Sequence, residues 1–351
     1  MPEGPADLMY LEEVDLPKIA RLTKELREMA RSTGPREGRA LVDCYYALQE
    51  MRKSAANQRA AGLRGDEAAM PILTWVVAQD ATMERRLRDL LGNFAEGYPV
   101  GRWAMSQVGI GPVIAAGLLA YIDIAKAQTP GHIYRFAGLD PSQEWIGREE
   151  AARRIEHAAV DAKGRLTATS LAALAEGANL RLEALMRRIV DKDGTPQEPT
   201  RANVARALSV RPWNAGLKTL CWKAGQCFMK FHGRDDCFYG HLYAERKAEE
   251  VRRNEAGEFA EQAALALKKK NFNRDTGAKA AYMTGKLPAG HLEARAERWA
   301  VKLFLSHWWQ VAYESTYGKP APSPYALEHL GHVHVIPVPG WPMEAPAEKA
   351  A

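Results

Sequence analysis

From Leu41 to about Ala60 the apolar positions Leu41, Tyr45, Leu48, Met51 and Ala55 recur every three or four residues, as on one face of an α-helix. Between about Asp66 and Phe94 the pattern returns in Met70, Leu73, Val77, Met83, Leu87, Leu90 and Leu91. There Arg85, Arg86, Arg88 and Asp89 cover the other face. Two such runs, linked near Ala61-Gly62-Leu63-Arg64-Gly65, predict an antiparallel helical pair. A break follows at Gly97-Tyr98-Pro99. Residues 147–210 are polar, charge-rich and helical in pattern. Thr167 and Thr200 precede helical runs as candidate N-caps, and Asp191-Lys192-Asp193-Gly194-Thr195-Pro196 predicts a turn between them. This favours a plain helical hairpin over a helix-turn-helix. Further helices are expected from about Ala215 to His232, Cys237 to Asn254 and Leu292 to Tyr313. The last carries Trp299, Phe304, Trp308, Trp309 and Tyr313, a stripe expected to pack in a core. From Gly318 the chain is Pro-rich, with one β-prone run, Val333-His334-Val335-Ile336, and it is expected to fray after Trp341. No internal repeat and no low-complexity tract is visible.

The expected fold is therefore mainly α: a multi-helix protein with a Pro-rich C-terminal tail. Its 351 residues, 46% apolar and 26% charged, have the composition of a folded globular chain. The net charge of +5 permits a polyanionic partner without requiring one. Cys44, Cys221, Cys227 and Cys237 show no Cys-x-x-Cys spacing, so neither a zinc ribbon nor a redox pair is suggested, and reduced, mostly buried thiols are expected. The acidic start has no signal-peptide core, and the longest apolar stretch, Val108 to Ile124, is broken by Gly109, Gly111, Pro112 and Gly117. These features point to a cytoplasmic setting without a membrane role.

One segment carries specific chemistry: Val108-Gly109-Ile110-Gly111-Pro112-Val113, followed by the small and apolar Ile114-Ala115-Ala116-Gly117-Leu118-Leu119. An apolar residue, Gly-apolar-Gly and a helix start form a helix-hairpin-helix pattern. The glycines are expected to take unusual backbone angles and to leave no side chain in a phosphate's way. Pro112 suits the first helical position, where its missing N–H costs nothing. The helix start then presents unpaired N–H groups to an anion, while Ile110 plugs inward. Such a turn contacts backbone rather than bases, so it positions without specifying sequence.

The run Val108 to Asp123, with Tyr134-Arg135-Phe136-Ala137-Gly138-Leu139-Asp140-Pro141, resembles the C-terminal domain of the DEDD insertion-sequence transposases, relatives of the Piv-type DNA invertases. Arg211-Pro212-Trp213-Asn214 and Leu217-Lys218-Thr219-Leu220 match a later element of that family. Phe238-Tyr239 through Tyr243 to Lys247 resembles its downstream helix, and Glu84 to Leu91 resembles its coiled-coil linker. The similarity spans about 80–250, with an insertion at 148–210. It implies three regions: a helical N-terminal region over 1–97, a helix-hairpin-helix transposase-like domain over 98–253, and a C-terminal helical region with the tail over 254–351. The family also carries a RuvC-like domain with four acidic metal ligands and a nucleophilic serine. The segment before residue 80 is helical and too short for that domain, and the family's Ser-Gly step reads Trp145-Ile146-Gly147, with Ser142 displaced. The resemblance thus implies the nucleic-acid-contacting half of a transposase, of the kind encoded by phages and mobile elements.

Three other clusters carry candidate chemistry. Arg211 to Arg253 holds nine Lys/Arg against five Asp/Glu, and Lys218, Lys223 and Lys230 with Trp213, Trp222 and Phe231 suggest a groove where aromatics stack on bases. His329, His332 and His334 form a His-x-x-His-x-His run, and His332 and His334 are weak metal-ligand candidates. Asp235, Asp236, Glu245, Glu249 and Glu250 are read as ion-paired helix surface rather than a metal site. The expected nucleic-acid contacts are Gly109, Ile110, Gly111, Pro112, Val113, Arg211, Asn214, Lys218 and Lys223, on DNA or on structured RNA. No cofactor is expected, except Mg2+ if the chain is catalytically active with Ser142 as nucleophile and a partner-supplied metal centre. A helical assembly protein without a nucleic-acid role, and a homo-oligomer, stay open.

Overall fold

The computed structural model describes residues 21–64, 71–142, 145–269, 272, 274–322 and 336–342. The fold is mainly α: among the described residues there are fifteen helices and no strand longer than an isolated bridge. The chain divides into two compact units. One runs to Asp123 and takes in the segment from Gly340; the other spans Ile124–Pro339.

In the first unit, α1 (Lys24–Ser32), α2 (Pro35–Arg64) and α3 (Pro71–Glu96) precede the short α4 (Pro99–Ser106) and α5 (Pro112–Tyr121). The long α2 and α3 pack antiparallel along each other. Gly38 on α2 sits under the Phe94 ring near the end of α3, where any Cβ would lie 2.5 Å from a ring carbon. Farther along, Glu84 ties the pair together: it accepts from Arg52 Nε at 2.6 Å, Gln49 Nε2 at 3.1 Å and the Tyr45 hydroxyl at 3.2 Å. Helix α2 extends through Arg64, so Ala61 to Arg64 belong to the helix rather than to a link. Met51 and Met83 are exposed, at 59% and 38%. The buried stripe of α2 runs instead through Val42, Tyr45 and Ala55. Helix α5 is apolar on every side and its residues Ile114 to Leu119 are all buried, which makes it the central helix of this unit.

The second unit is built around α15 (Ala289–Tyr317), against which α6 (Pro130–Phe136), α11 (Ala215–Phe231) and α12 (Phe238–Glu255) pack. Phe304, Trp308 and Trp309 of the aromatic stripe are buried, so it is core. Phe228 and Tyr239 stack at 5.0 Å, with Phe304 edge-on to both. His307 is fully engaged beside them. Its Nε2–H donates to the Ile336 carbonyl at 3.0 Å, which leaves Nδ1 to accept from the Tyr239 hydroxyl at 2.8 Å. Helices α13 (Ala260–Lys269) and α14 (Gly277–Met283) enclose a satellite core of Phe259, Ala263, Tyr282, Leu287 and Leu292.

Residues 146–208 form their own core from α7 (Arg148–Glu156), α8 (Ala168–Gly177), α9 (Leu182–Met186) and α10 (Arg201–Leu208). Here the structure corrects the expectation of no internal repeat. Val160-Asp161-Ala162-Lys163-Gly164-Arg165-Leu166 and Val190-Asp191-Lys192-Asp193-Gly194-Thr195-Pro196 adopt one turn twice. In each, the Asp Oδ1 accepts two amides, two and four residues on, all at 2.9 Å. In each, a glycine, Gly164 or Gly194, takes the left-handed conformation. In each, a threonine, Thr167 or Thr200, then caps the next helix through its hydroxyl. Helix α7 packs on α10 and α8 on α9, so the first helix of one repeat meets the last of the other. The repeat hides in sequence because a side-chain-to-backbone turn needs only the Asp and the Gly; the residues between are free to vary.

Of the four thiols, Cys221 and Cys237 are buried, Cys227 is half-buried and Cys44 is exposed; all are free. His329, His332 and His334, and most of the β-prone run around them, lie outside the described residues. No described helix is long and apolar enough to cross a membrane.

Candidate nucleic-acid interface

Helices α4 and α5 meet at a tight corner. Gln107 ends α4 and is buried, its Nε2 donating to the Trp103 carbonyl at 3.3 Å. The chain then turns through Gly109, whose φ of +93° is strained for any residue with a Cβ. Ile110 donates its amide to the Gln107 carbonyl at 3.0 Å and is 3% exposed, plugging the corner as the sequence suggests. Gly111 is different. Its φ of −91° and ψ of 177° are ordinary extended values, so the expectation of unusual angles holds only for Gly109. What distinguishes Gly111 is space: nothing lies within 4 Å of where a Cβ would stand.

Gly111 is the N-cap of α5 and offers no side-chain cap; its carbonyl accepts from Ile114 at 3.1 Å and Ala115 at 3.0 Å. Pro112 occupies the first turn. No described residue accepts from the amides of Gly109, Gly111 or Val113. The tip therefore carries unengaged donors at the positive end of a helix, with one face open. Gly92 of α3 makes room for the Pro112 ring at 3.6 Å, and Arg88 stands one turn earlier on that helix with its surface exposed.

The remaining expected contacts lie in the second unit, around the start of α11. Asn214 is that helix's N-cap. Its Oδ1 accepts from the Leu217 amide at 2.8 Å and its own amide donates to the Phe136 carbonyl at 2.8 Å, so it positions the helix. Lys218 lies on the exposed side of α11, its ammonium 4.0 Å from the centre of the Trp213 ring, and Arg211 stacks 4.7 Å over Trp145. Burial, then the charges of Arg211 and Arg298, hold Lys218 below its usual pKa. Lys223 is half-buried farther along α11, and Lys230 is exposed near its end.

Between α11 and α15 runs a groove of about 270 Å³. Lys218, Cys221, Trp222 and Gly225 line one wall at helical spacing, and Ala294, Glu297, Arg298 and Val301 line the other. Gly138, at φ +66°, closes one end, held against the Trp213 ring, which would lie 2.7 Å from a Cβ there. Arg298 and Glu297 escaped the sequence reading. They sit some eighty residues from Lys218, inside a helix whose aromatic stripe signalled core, and only packing brings them to the groove.

Ser142 is exposed. Its amide and hydroxyl both donate to Asp140 Oδ1, at 2.9 and 2.8 Å. These two bonds, ahead of nearby Arg135 and Lys302, hold the Asp140 carboxyl below its usual pKa. The two bonds close a turn at Pro141. Three of the five acids in the cluster are ion-paired: Asp236 to Arg234 at 2.7 Å, Glu249 to Arg252, and Glu250 to Arg246 at 2.5 Å and Arg295 at 2.6 Å. No group of three potential metal ligands occurs among the described residues.

Compared with known families, residues 102–176 match the transposase family described as IS116/IS110/IS902. This stretch contains the α4–α5 corner and the Ala137-to-Pro141 segment, so the chain carries a transposase-type region. No curated protein and no solved structure matches the chain.

Proposed function

We propose, with the transposase-type region at 102–176 as premise, that this chain is a DNA-binding protein of the DEDD-transposase and Piv-invertase kind, encoded by a phage or mobile element. It holds DNA by phosphate contacts. The α4–α5 corner is a helix-hairpin-helix in which Gly109, Gly111, Pro112 and Val113 offer backbone to a phosphate and Ile110 locks the turn. Arg211, Lys218 and Lys223 add cationic contacts, and Asn214 fixes the helix that carries two of them.

The observation that carries this reading is the combination at Gly111: amides without an acceptor and open space where a side chain would project. Phosphate is the anion that fits, because the site is shallow, backbone-lined and lies at a helix start. Such binding is tolerant of sequence and steep in salt, with log K falling by about 0.9 per phosphate neutralised for each unit of log salt. A titration of labelled duplex, branched DNA and structured RNA by fluorescence anisotropy, at low and at moderate salt, tests it. Complexes with DNA that weaken with salt are expected. The absence of any complex at low salt refutes the proposal, and binding to structured RNA alone overturns the choice of DNA.

A further inference from the structure

The groove between α11 and α15 joins three features, of which the proposed function uses only the cations Arg211 and Lys218. First, three cations gather here: Lys218 and Arg298 line the groove and Arg211 lies close enough to act on Lys218, and none of the three makes an ion pair within 4 Å among the described residues. Their mutual proximity is felt: Arg211 and Arg298 both depress Lys218. Arg298, exposed by surface area, is itself held low by desolvation and by Arg295, which outweigh the opposing charges of Glu297 and Glu250. Cations gathered in excess of the nearby carboxylates, Glu297 and Glu250, favour an anion that bridges them. Second, Trp222 is 58% exposed on the groove wall, a large flat ring left in water. Third, Glu297 is 8% exposed on the opposite wall. One of its oxygens accepts from Gln226 Nε2 at 2.6 Å and no described residue donates to the other.

We propose that this groove binds one unpaired nucleotide, its base on Trp222, its phosphate between Lys218 and Arg298, and an exocyclic amino group on Glu297. A volume of about 270 Å³ lies just below the range of about 300–1,000 Å³ typical of small-molecule sites, so it suits a single nucleotide and excludes a duplex. Gly138, Cys221, Gly225 and Ala294 keep the walls short enough for a flat ring to enter. A carboxylate accepts from the amino groups of cytosine, adenine or guanine and has no donor of that kind to meet on thymine. The groove thus favours amino-bearing bases over thymine. This inference rests on the reading of the chain as a nucleic-acid binder, yet it involves none of the hairpin residues.

The test measures anisotropy of labelled dC12, dT12 and a 20-base-pair duplex on the full chain, with dCMP as competitor. The wild type is expected to bind dC12 more tightly than dT12. Trp222→Ala is expected to weaken dC12 about tenfold, Arg298→Ala by a similar factor, and both to leave duplex affinity unchanged. Glu297→Gln, which replaces a pure acceptor by a group that also donates, is expected to narrow the gap between dC12 and dT12. Trp222 and Arg298 are exposed, so their variants keep the fold, and circular dichroism verifies this. Displacement of dC12 by dCMP at low millimolar concentration assigns the site to a nucleotide as such; failure of dCMP to compete assigns it to a nucleotide within a strand. Duplex binding without single-strand binding overturns the groove and leaves the hairpin reading standing. Binding of neither overturns both. Single-strand binding indifferent to Trp222→Ala and Arg298→Ala also overturns the groove, and equal binding of dC12 and dT12 removes the role given to Glu297.

Discussion

Replacing Gly111 by aspartate separates the hairpin's fold from its proposed work. The position has extended backbone angles and open space around the missing Cβ, so a side chain enters without strain or clash. It is also a helix N-cap, where aspartate and asparagine are preferred and outdo glycine by a few tenths of a kcal/mol. Removing a glycine restricts the unfolded chain as well, worth about 0.4–1 kcal/mol. Gly111→Asp and Gly111→Asn are therefore both expected to melt at or slightly above the wild-type temperature. They differ in charge alone. A carboxylate about 4 Å from a phosphate is repelled by about 1 kcal/mol if water screens the pair and by about 4 kcal/mol at the effective dielectric of a protein surface. At about 1.4 kcal/mol per factor of ten, duplex affinity falls by about fivefold to about a thousandfold in the aspartate variant. The asparagine variant, which blocks the approach without the charge, falls in between. Parallel thermal melts and anisotropy titrations at two salt concentrations read both quantities. Duplex affinity unchanged in a folded Gly111→Asp protein refutes the assignment of the hairpin as the grip.

Other expectations concern stability. Burial lowers the His307 pKa to about 4 against an ordinary 6.5, so the unfolded chain takes up this proton first as pH falls. The associated stability is complete above pH 6.5 and drains away towards pH 4, by about 3 kcal/mol; urea midpoints at pH 7 and 5 should differ less in His307→Gln than in the wild type. Burial raises the Glu250 pKa, but the hydrogen bond and charge of Arg295 and the charge of Arg246 outweigh it, so the net shift is downward. Glu250→Gln leaves two half-buried arginines short of a counter-charge and should cost about 3–5 kcal/mol in urea unfolding, an effect complete above the carboxyl's titration range and shrinking as pH falls through it. Thr167→Ala and Thr200→Ala each remove a hydroxyl cap and should cost about 1 kcal/mol apiece by the same measurement; equal losses would match the repeated architecture, whereas a negligible loss at either would contradict it.

Much of this molecule is decided locally and can be read from the chain. The threonine caps, the buried aromatic face of α15 and the inward Ile110 each depend on residues within a turn or two, because capping and helical periodicity act over that distance. The Gly-apolar-Gly step marks the corner for the same reason, although sequence alone does not tell Gly109, needed for its dihedral angle, from Gly111, needed for its emptiness. Packing decided the rest. Met51 on α2 and Met83 on α3 fit the helical period yet face water, whereas Tyr45 and Ala55 of the same expected face of α2, and Leu91 of α3, are buried. The two Asp-Gly turns within residues 146–208 share a hydrogen-bond pattern that few letters encode. Arg298 and Glu297 reach Lys218 and Trp222 only because α11 and α15 lie side by side. Spacing within one helix fixes which residues share a face; which face meets another, and so which distant charges become neighbours, is settled only when the helices pack.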